Sequence, residues 1–311
     1  MCGRISCHMC RPDYRKAASY FDESRGLYVQ PDWIDVPNNG LSYSPSTNMA
    51  PTDVLPVLIS KEHEQTGNEL SQRVIKPMMW GMIPTWHKGD YKSHGLTTNN
   101  CRIESLMESR LYGKPLRNGQ RCVIGCQGFY EWQTTKGKGQ PKQPYFIKAS
   151  QKCEAGPVEE LDSWEKAMWD ETAGWSGPQL LMMAGLFDVW TSPEGEQMFS
   201  FTIITMESNS SFSWLHHRIP AVLDSDEMVA KWLDHKQVSA VAAVRLLHPV
   251  TSLTWHPVSM LVNNSRNKDN NCNKPIDLQK PKPVNKIMDS WLKRGALPSA
   301  NATSPKKAKE N

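Results

Sequence analysis

The apolar runs of this chain are short, and turn residues interrupt them again and again; that rhythm is the strongest constraint on its fold. Segments rich in β-branched and aromatic residues predominate. They predict strands over Asp53 to Ser60, Arg73 to Met79, Arg121 to Trp132, Pro144 to Ala149, Leu180 to Trp190, Ser200 to Met206 and Leu253 to Ser259. Helices are expected over Pro12 to Phe21, Ser225 to His235 and Ser239 to Leu247, the second opening on the acidic Asp226 and Glu227 that a helix N-terminus favours. Two stretches read as insertions, Ser60 to Gln72 and the acidic Lys152 to Pro178. There is no internal repeat. The expected fold class is α+β: one domain over 1–280 with a β-rich core flanked by short helices. A basic, disordered tail over 281–311 follows, carrying one short helix near Ile287 to Lys293.

Charge and apolar content narrow the function classes. No run approaches the ~20 apolar residues of a membrane helix, and the start lacks a secretory stretch, so the expected setting is cytosolic or nuclear with the eight cysteines reduced. The net charge of +4 is unevenly spread: +7 from Arg266 onward, −6 over Cys153 to Trp175, and near zero elsewhere. A polyanion site in the body must therefore be built from particular arginines. The twelve tryptophans serve as core or as stacking platforms. Zinc is a weak reading: Cys7-x2-Cys10 has no second pair at finger spacing, and Cys122 and Cys126 fall in an apolar strand. No metal and no cofactor is expected.

Cys2 carries the most chemistry. A side chain this small permits removal of Met1, which would leave an N-terminal cysteine with an α-amine and a thiol on adjacent carbons. Their ordinary pKa values, about 7.7–8.0 and about 8.5, give usable neutral amine and thiolate near neutrality. Such a pair condenses with an aldehyde, first to a Schiff base and then to a thiazolidine. Alternatively the thiolate attacks an acyl group with the amine as base. Three further segments set ionisable groups in apolar or aromatic surroundings: Thr97 to Arg102, Gly128 to Trp132, and Leu215 to Pro220. Glu131 between aromatic rings is where desolvation raises a carboxyl toward the working range of a general acid.

In order along the chain, the motifs are Met1-Cys2-Gly3-Arg4, Asn48-Met49-Ala50-Pro51-Thr52, Trp80-Gly81-Met82-Ile83-Pro84-Thr85-Trp86 and Asn100-Cys101-Arg102. Gly128-Phe129-Tyr130-Glu131-Trp132, His216-His217-Arg218-Ile219-Pro220 and Val262-Asn263-Asn264-Ser265-Arg266-Asn267 complete the set. This set resembles the SRAP (SOS-response-associated peptidase) family from Met1 to about Asp277. The resemblance implies a barrel-like core and a covalent trap for abasic sites in single-stranded DNA, including sites at single-strand/duplex junctions. It implies Cys2 as nucleophile, with Asn100, Glu131 and His216 supporting it: Glu131 moves protons at the sugar ring oxygen, His216 is the second proton-transfer or oxygen-stabilising group, and Asn100 orients the amine or the sugar. Arg4, Arg102 and Arg218 then read as phosphate ligands. Trp86 reads as a wedge or base-stacking platform, or else as core.

The resemblance also implies a nuclear location at replication forks and a DNA-crosslinking, lyase-like activity with peptidase-type or autocatalytic removal of Met1. Animal members carry a C-terminal replication-clamp motif, Gln-x-x-aliphatic-x-x-aromatic pair; no match follows Lys280, so clamp binding is not carried over. Two rival readings remain at this stage, a thiol peptidase using Cys2 and a non-covalent reader of modified cytosine in DNA. A covalent DNA adduct that depends on Cys2 separates both from the trap.

Overall fold

A computed structural model describes residues 2–64, 71–134, 141–152 and 154–279. Its compact unit spans Met1–Ile276. The tail expected from 281, with its short helix, lies outside the described residues.

Five long strands close into a barrel. Val54–Ser60 pairs antiparallel with Arg73–Trp80 (Val54 opposite Met79) and with Arg121–Cys126 (Leu58 opposite Val123). Arg121–Cys126 pairs with Leu181–Thr191, which pairs with Gln197–Glu207. The ring closes where Gln197–Glu207 runs parallel to Arg73–Trp80, Ser200 beside Met79. Closure leaves no free edge within the ring, which suits near-continuous apolar strands: every residue of Val54–Ser60 and of Arg73–Trp80 is buried.

A second, all-antiparallel sheet packs beside the barrel in the order Leu253–Pro257, Pro144–Ala149, Gly128–Trp132, Ile5–Cys7, Ser46–Met49. The single strand expected over Arg121 to Trp132 is in fact two. The chain leaves the barrel at Cys126 and enters the second sheet at Gly128, and the break falls on the buried Gln127. Gln127 N–H donates to the Ser6 carbonyl at 3.0 Å, and its Oε1 accepts from His8 N–H at 2.8 Å, so polar pairing with the N-terminal strand fixes the turn-off point. Gly128 is required there, because a Cβ would lie 2.4 Å from the Ile147 carbonyl oxygen.

The first helix is shorter than expected, Arg11–Ala17, and the chain then forms a hairpin, Tyr20–Asp22 against Leu27–Val29. Asp22 Oδ1 accepts from Ser24 N–H and Oγ–H, and Gly26 takes a positive φ of 66°; this Asx turn competes successfully with helix continuation. The other two helices, Asp226–Leu233 and Ala240–Leu246, begin behind Ser225 and Ser239, whose hydroxyls cap Met228 N–H and Ala242 N–H. The acidic insertion carries the helix Leu161–Glu165 and a small hairpin, Trp169–Asp170 with Gly174–Trp175. One contiguous core runs through both sheets and includes Cys2, Ile5, Tyr14, Phe129 and Phe201.

Candidate active site

The N-terminal strand is the seam of the molecule. Ile5 faces Phe129, Ser6 faces Gly128, and Tyr130 N–H donates to the Arg4 carbonyl at 3.0 Å. From the barrel side, Asn100 Nδ2 donates to the Cys2 carbonyl at 2.6 Å. Asn100 opens the short strand Asn100–Arg102, which lies parallel to Ile203–Thr205 of the barrel. Cys2, 1% exposed, is thus held between the two sheets.

The first residues of a chain fray unless they are tied down. Here Arg4 supplies the tie: Nη1 donates to the Val262 carbonyl at 2.6 Å and to Asn48 Oδ1 at 3.1 Å, and Nη2 to the Asn263 carbonyl at 3.3 Å. Asn48 Nδ2 in turn donates to the Asn264 and Asn267 carbonyls at 3.0 and 2.8 Å. Lys268 Nζ closes the loop onto the Asn48 carbonyl and Asp53 Oδ2, both at 2.8 Å. Trp132 Nε1 donates to Asn263 Oδ1 at 2.7 Å. The Val262-to-Asn267 motif therefore wraps the N-terminal strand, and Arg4 is engaged by three protein acceptors.

Glu131 is 4% exposed, and its Oε1 accepts from Trp132 N–H at 3.2 Å. Burial raises its carboxyl pKa above the ordinary range. The Cys2 thiol is pushed up as well, first by burial and second by the nearby Glu131 charge. His216 joins this group through the backbone: Thr134 N–H donates to the Leu215 carbonyl at 3.0 Å, tying the segment after Glu131 to the residue before His216. Burial takes His216 down to about 4, so the ring is neutral at physiological pH. Its Nδ1 lies 3.0 Å from Arg218 N–H, from which it accepts, and 3.2 Å from the Arg218 carbonyl oxygen, so the ring is held against the backbone of its own segment. His217, exposed, stacks on His216 with centroids 4.4 Å apart. A buried thiol, an acid of raised pKa, a neutral imidazole and an amide that grips the backbone of the thiol-bearing residue make an arrangement suited to proton transfer at a carbonyl or acetal centre.

The remaining predicted residues lie outside this cluster. Arg102, two residues beyond Asn100, is exposed. Arg218 is different: its two Nη atoms form a fork on Glu104, and Nη2 also donates to the Thr205 carbonyl at 2.7 Å. A phosphate reaching Arg218 must displace a carboxylate. Trp86 is 41% exposed, which removes the core-packing alternative, and the Arg110 guanidinium stacks 4.4 Å over its ring. The zinc alternative gains nothing: Cys7, Cys122 and Cys126 are buried, Cys10 is exposed, and the described residues hold no cluster of three or more metal-type side chains. Sequence reasoning missed Glu104 and His217, and it missed Asn48 and Asn263 as struts; all but Glu104 had a signal, their presence in the motifs.

The family described as SOS response associated peptidase (SRAP) matches residues 1–265. The chain is 43% identical over 285 residues to the abasic site processing protein HMCES of Pongo abelii, covering 89% of this chain and 77% of that one. It is 39% identical to the HMCES of Gallus gallus over 312 residues, 100% of this chain and 88% of the relative. It is also 29% identical over 227 residues to the abasic site processing protein YoqW of Bacillus subtilis, 72% and 84% of the two chains. A crystal structure of a Bacteroides thetaiotaomicron protein shares the fold, with TM-score 0.63 and 20% identity over 89% of this chain and all of that one.

Proposed function

The chain belongs to the SRAP family, and from that premise we propose that it processes abasic sites in DNA by trapping them covalently on Cys2 once Met1 is removed. The substrate's closed hemiacetal is opened as Glu131 delivers a proton to the ring oxygen, the C1–O bond breaks and the anomeric hydroxyl gives up its own proton to solvent, with the His216 imidazole stabilising the oxygen that leaves. The Cys2 amine adds to the exposed C1 aldehyde and water departs, giving an imine. The Cys2 sulfur then adds across the C=N bond while the nitrogen takes up a proton, closing a thiazolidine; one water is released in all. Ring closure removes the imine that would drive β-elimination, so the strand stays whole. Asn100 orients Cys2 through its carbonyl. Arg102 is the exposed phosphate contact, with Arg4 and Arg218 contributing where a phosphate displaces their present partners, and Trp86 stacks on a base. Single-stranded DNA and a nuclear site of action belong to the same proposal.

The observation that carries this reading is the Asn100–Cys2 contact of 2.6 Å beside a buried carboxyl of raised pKa. Further support comes from the printed names of the relatives. The test mixes the purified chain with an oligonucleotide bearing one abasic site and separates the products under denaturing conditions. A stable adduct in the wild type that is absent in Cys2→Ala is the expected result. Peptide turnover without any adduct would overturn the proposal in favour of a thiol peptidase, and mass spectrometry showing Met1 retained in the active protein would overturn the role of the amine.

A further inference from the structure

Outside the catalytic group, the second sheet presents a row of aromatic rings that the mechanism does not use. Tyr145 lies directly opposite Glu131, so the two side chains share one face of the sheet. Trp255, opposite Ile147, is on that face one strand farther out, on the edge strand Leu253–Pro257. Trp214, two residues before His216, bridges them: its ring meets Tyr145 edge-on with centroids 5.0 Å apart and Trp255 at 5.6 Å. Trp255 keeps 37% of its surface in solvent, and Tyr145 and Trp214 are half-buried.

We infer that Tyr145, Trp214 and Trp255 form a base-stacking track for the nucleotides on one side of the lesion. The inference rests on the abasic-site reading above for what occupies the neighbouring site, and it names a surface that reading leaves out. Three features select a single-stranded polynucleotide as the occupant. The row starts at the strand partner of Glu131, so it is continuous with the site where the sugar reacts. It runs outward from Tyr145 to Trp255 by one strand spacing, roughly 5 Å, with Trp214 bridging the two rings, a span of about two stacked bases at ~3.4 Å each. Its charge surroundings suit a polyanion: the exposed Lys142 stands close enough to His216 to act on it electrostatically, whereas the buried acid Glu159 is paired with Lys148 on the opposite face. Aromatic faces accept any base, so the track holds strand without reading sequence.

The test uses undamaged DNA and no covalent chemistry, so it stands apart from the trap. Binding of a short fluorescent oligothymidine is followed by anisotropy across a salt series for the full chain and its variants. Trp255→Ala is expected to weaken binding about tenfold, one decade in Kd being about 1.4 kcal/mol, with the slope of log Kd against log salt unchanged because no phosphate contact is lost. Trp255→Phe should keep most of the affinity, and Met168→Ala, which truncates an exposed side chain on the acidic insertion, should match the wild type. Unchanged binding in Trp255→Ala would overturn the track, as would a salt slope lowered by about one, or a Phe variant as weak as the Ala. If the wild type binds oligothymidine through Trp255 but never crosslinks an abasic oligonucleotide, the trap falls and the track stands.

Discussion

Replacing Glu131 by Gln separates what this residue does for the reaction from what it does for the fold, because the two effects have opposite signs. Gln keeps the shape and the acceptor that Trp132 N–H uses at 3.2 Å, and loses the charge and the transferable proton. General acid–base catalysis by a positioned side chain contributes ~10²–10⁴ in rate, so single-turnover crosslinking of a saturating abasic oligonucleotide should fall by that order. Stability should rise at neutral pH. Burial raises the folded carboxyl above the ~4.3 of an unfolded glutamate, so the folded protein favours the protonated form. That contribution is fully present below pH ~4.3 and is lost as pH climbs through the raised value, so at pH 7 a buried carboxyl of raised pKa is a net cost to the native protein. Each unit of rise is worth about 1.4 kcal/mol, and 1 kcal/mol moves the Tm of a domain of this size by about 2–4 °C. Thermal melts of wild type and Glu131→Gln at pH 7 and near pH 4 read it directly: the variant melts higher at pH 7, and the gap closes on acidification. A variant that crosslinks at the wild-type rate refutes the proton-transfer role, and one that melts lower at pH 7 refutes the account of burial.

Four other substitutions follow from the same geometry. Asn100→Ala removes the hydrogen bond to the Cys2 carbonyl, net about 1 kcal/mol, and should slow single-turnover crosslinking about fivefold to tenfold while leaving affinity for undamaged DNA in place. Arg102→Ala should weaken DNA binding and lower the salt slope by about one, with reactivity toward a small free aldehyde retained. Gly128→Ala drives a Cβ to 2.4 Å from the Ile147 carbonyl oxygen, a backbone atom that cannot swing aside, and should destabilise by at least about 1–3 kcal/mol in urea unfolding. His216, brought down to about 4, refuses a proton that the unfolded chain accepts below about 6.5, so stability falls as pH drops through that window; His216→Asn should flatten this part of the acid-unfolding curve, leaving the share due to His8, which burial also takes to about 4.

Where a segment owes its conformation to its own pattern, the sequence was enough. Pro144–Ala149 has the expected bounds, Val54–Ser60 and Arg73–Trp80 lie within a residue of them, and both later helices start behind their capping serines. The misses share one physical cause. Ile5–Cys7, Ser46–Met49, Asn100–Arg102 and Arg218–Pro220 are strands of three or four residues, too short and too polar to announce themselves, and they exist because distant segments pair with them. These are the strands that build the site. Cys2, Asn100, Glu131 and His216 stood out in the sequence as residue types, whereas the engagement of Arg4 and Arg218 did not. Arg4 meets carbonyls more than 250 positions away in sequence, and Arg218 meets Glu104, which no motif marked.

In the trap proposed above, burial that suits Glu131 as an acid works against Cys2 as a nucleophile, and their adjacency resolves the conflict if they act in sequence. While Glu131 is protonated, the charge that helps hold the thiol in its neutral form is absent, and the first bond, from amine to aldehyde carbon, needs no thiolate at all. Once Glu131 has given its proton to the sugar oxygen, it is a buried carboxylate of raised basicity beside a thiol that must lose a proton to close the ring. One carboxyl then serves as acid for opening and base for closing, and the low-dielectric seam between the sheets favours the second transfer because burial raises the basicity of the carboxylate. On this account the thiol-closing step in Glu131→Gln is slowed along with ring opening, so a substrate already supplied as a free aldehyde recovers only part of the lost rate. Full recovery with such an aldehyde would confine Glu131 to ring opening and refute its second task.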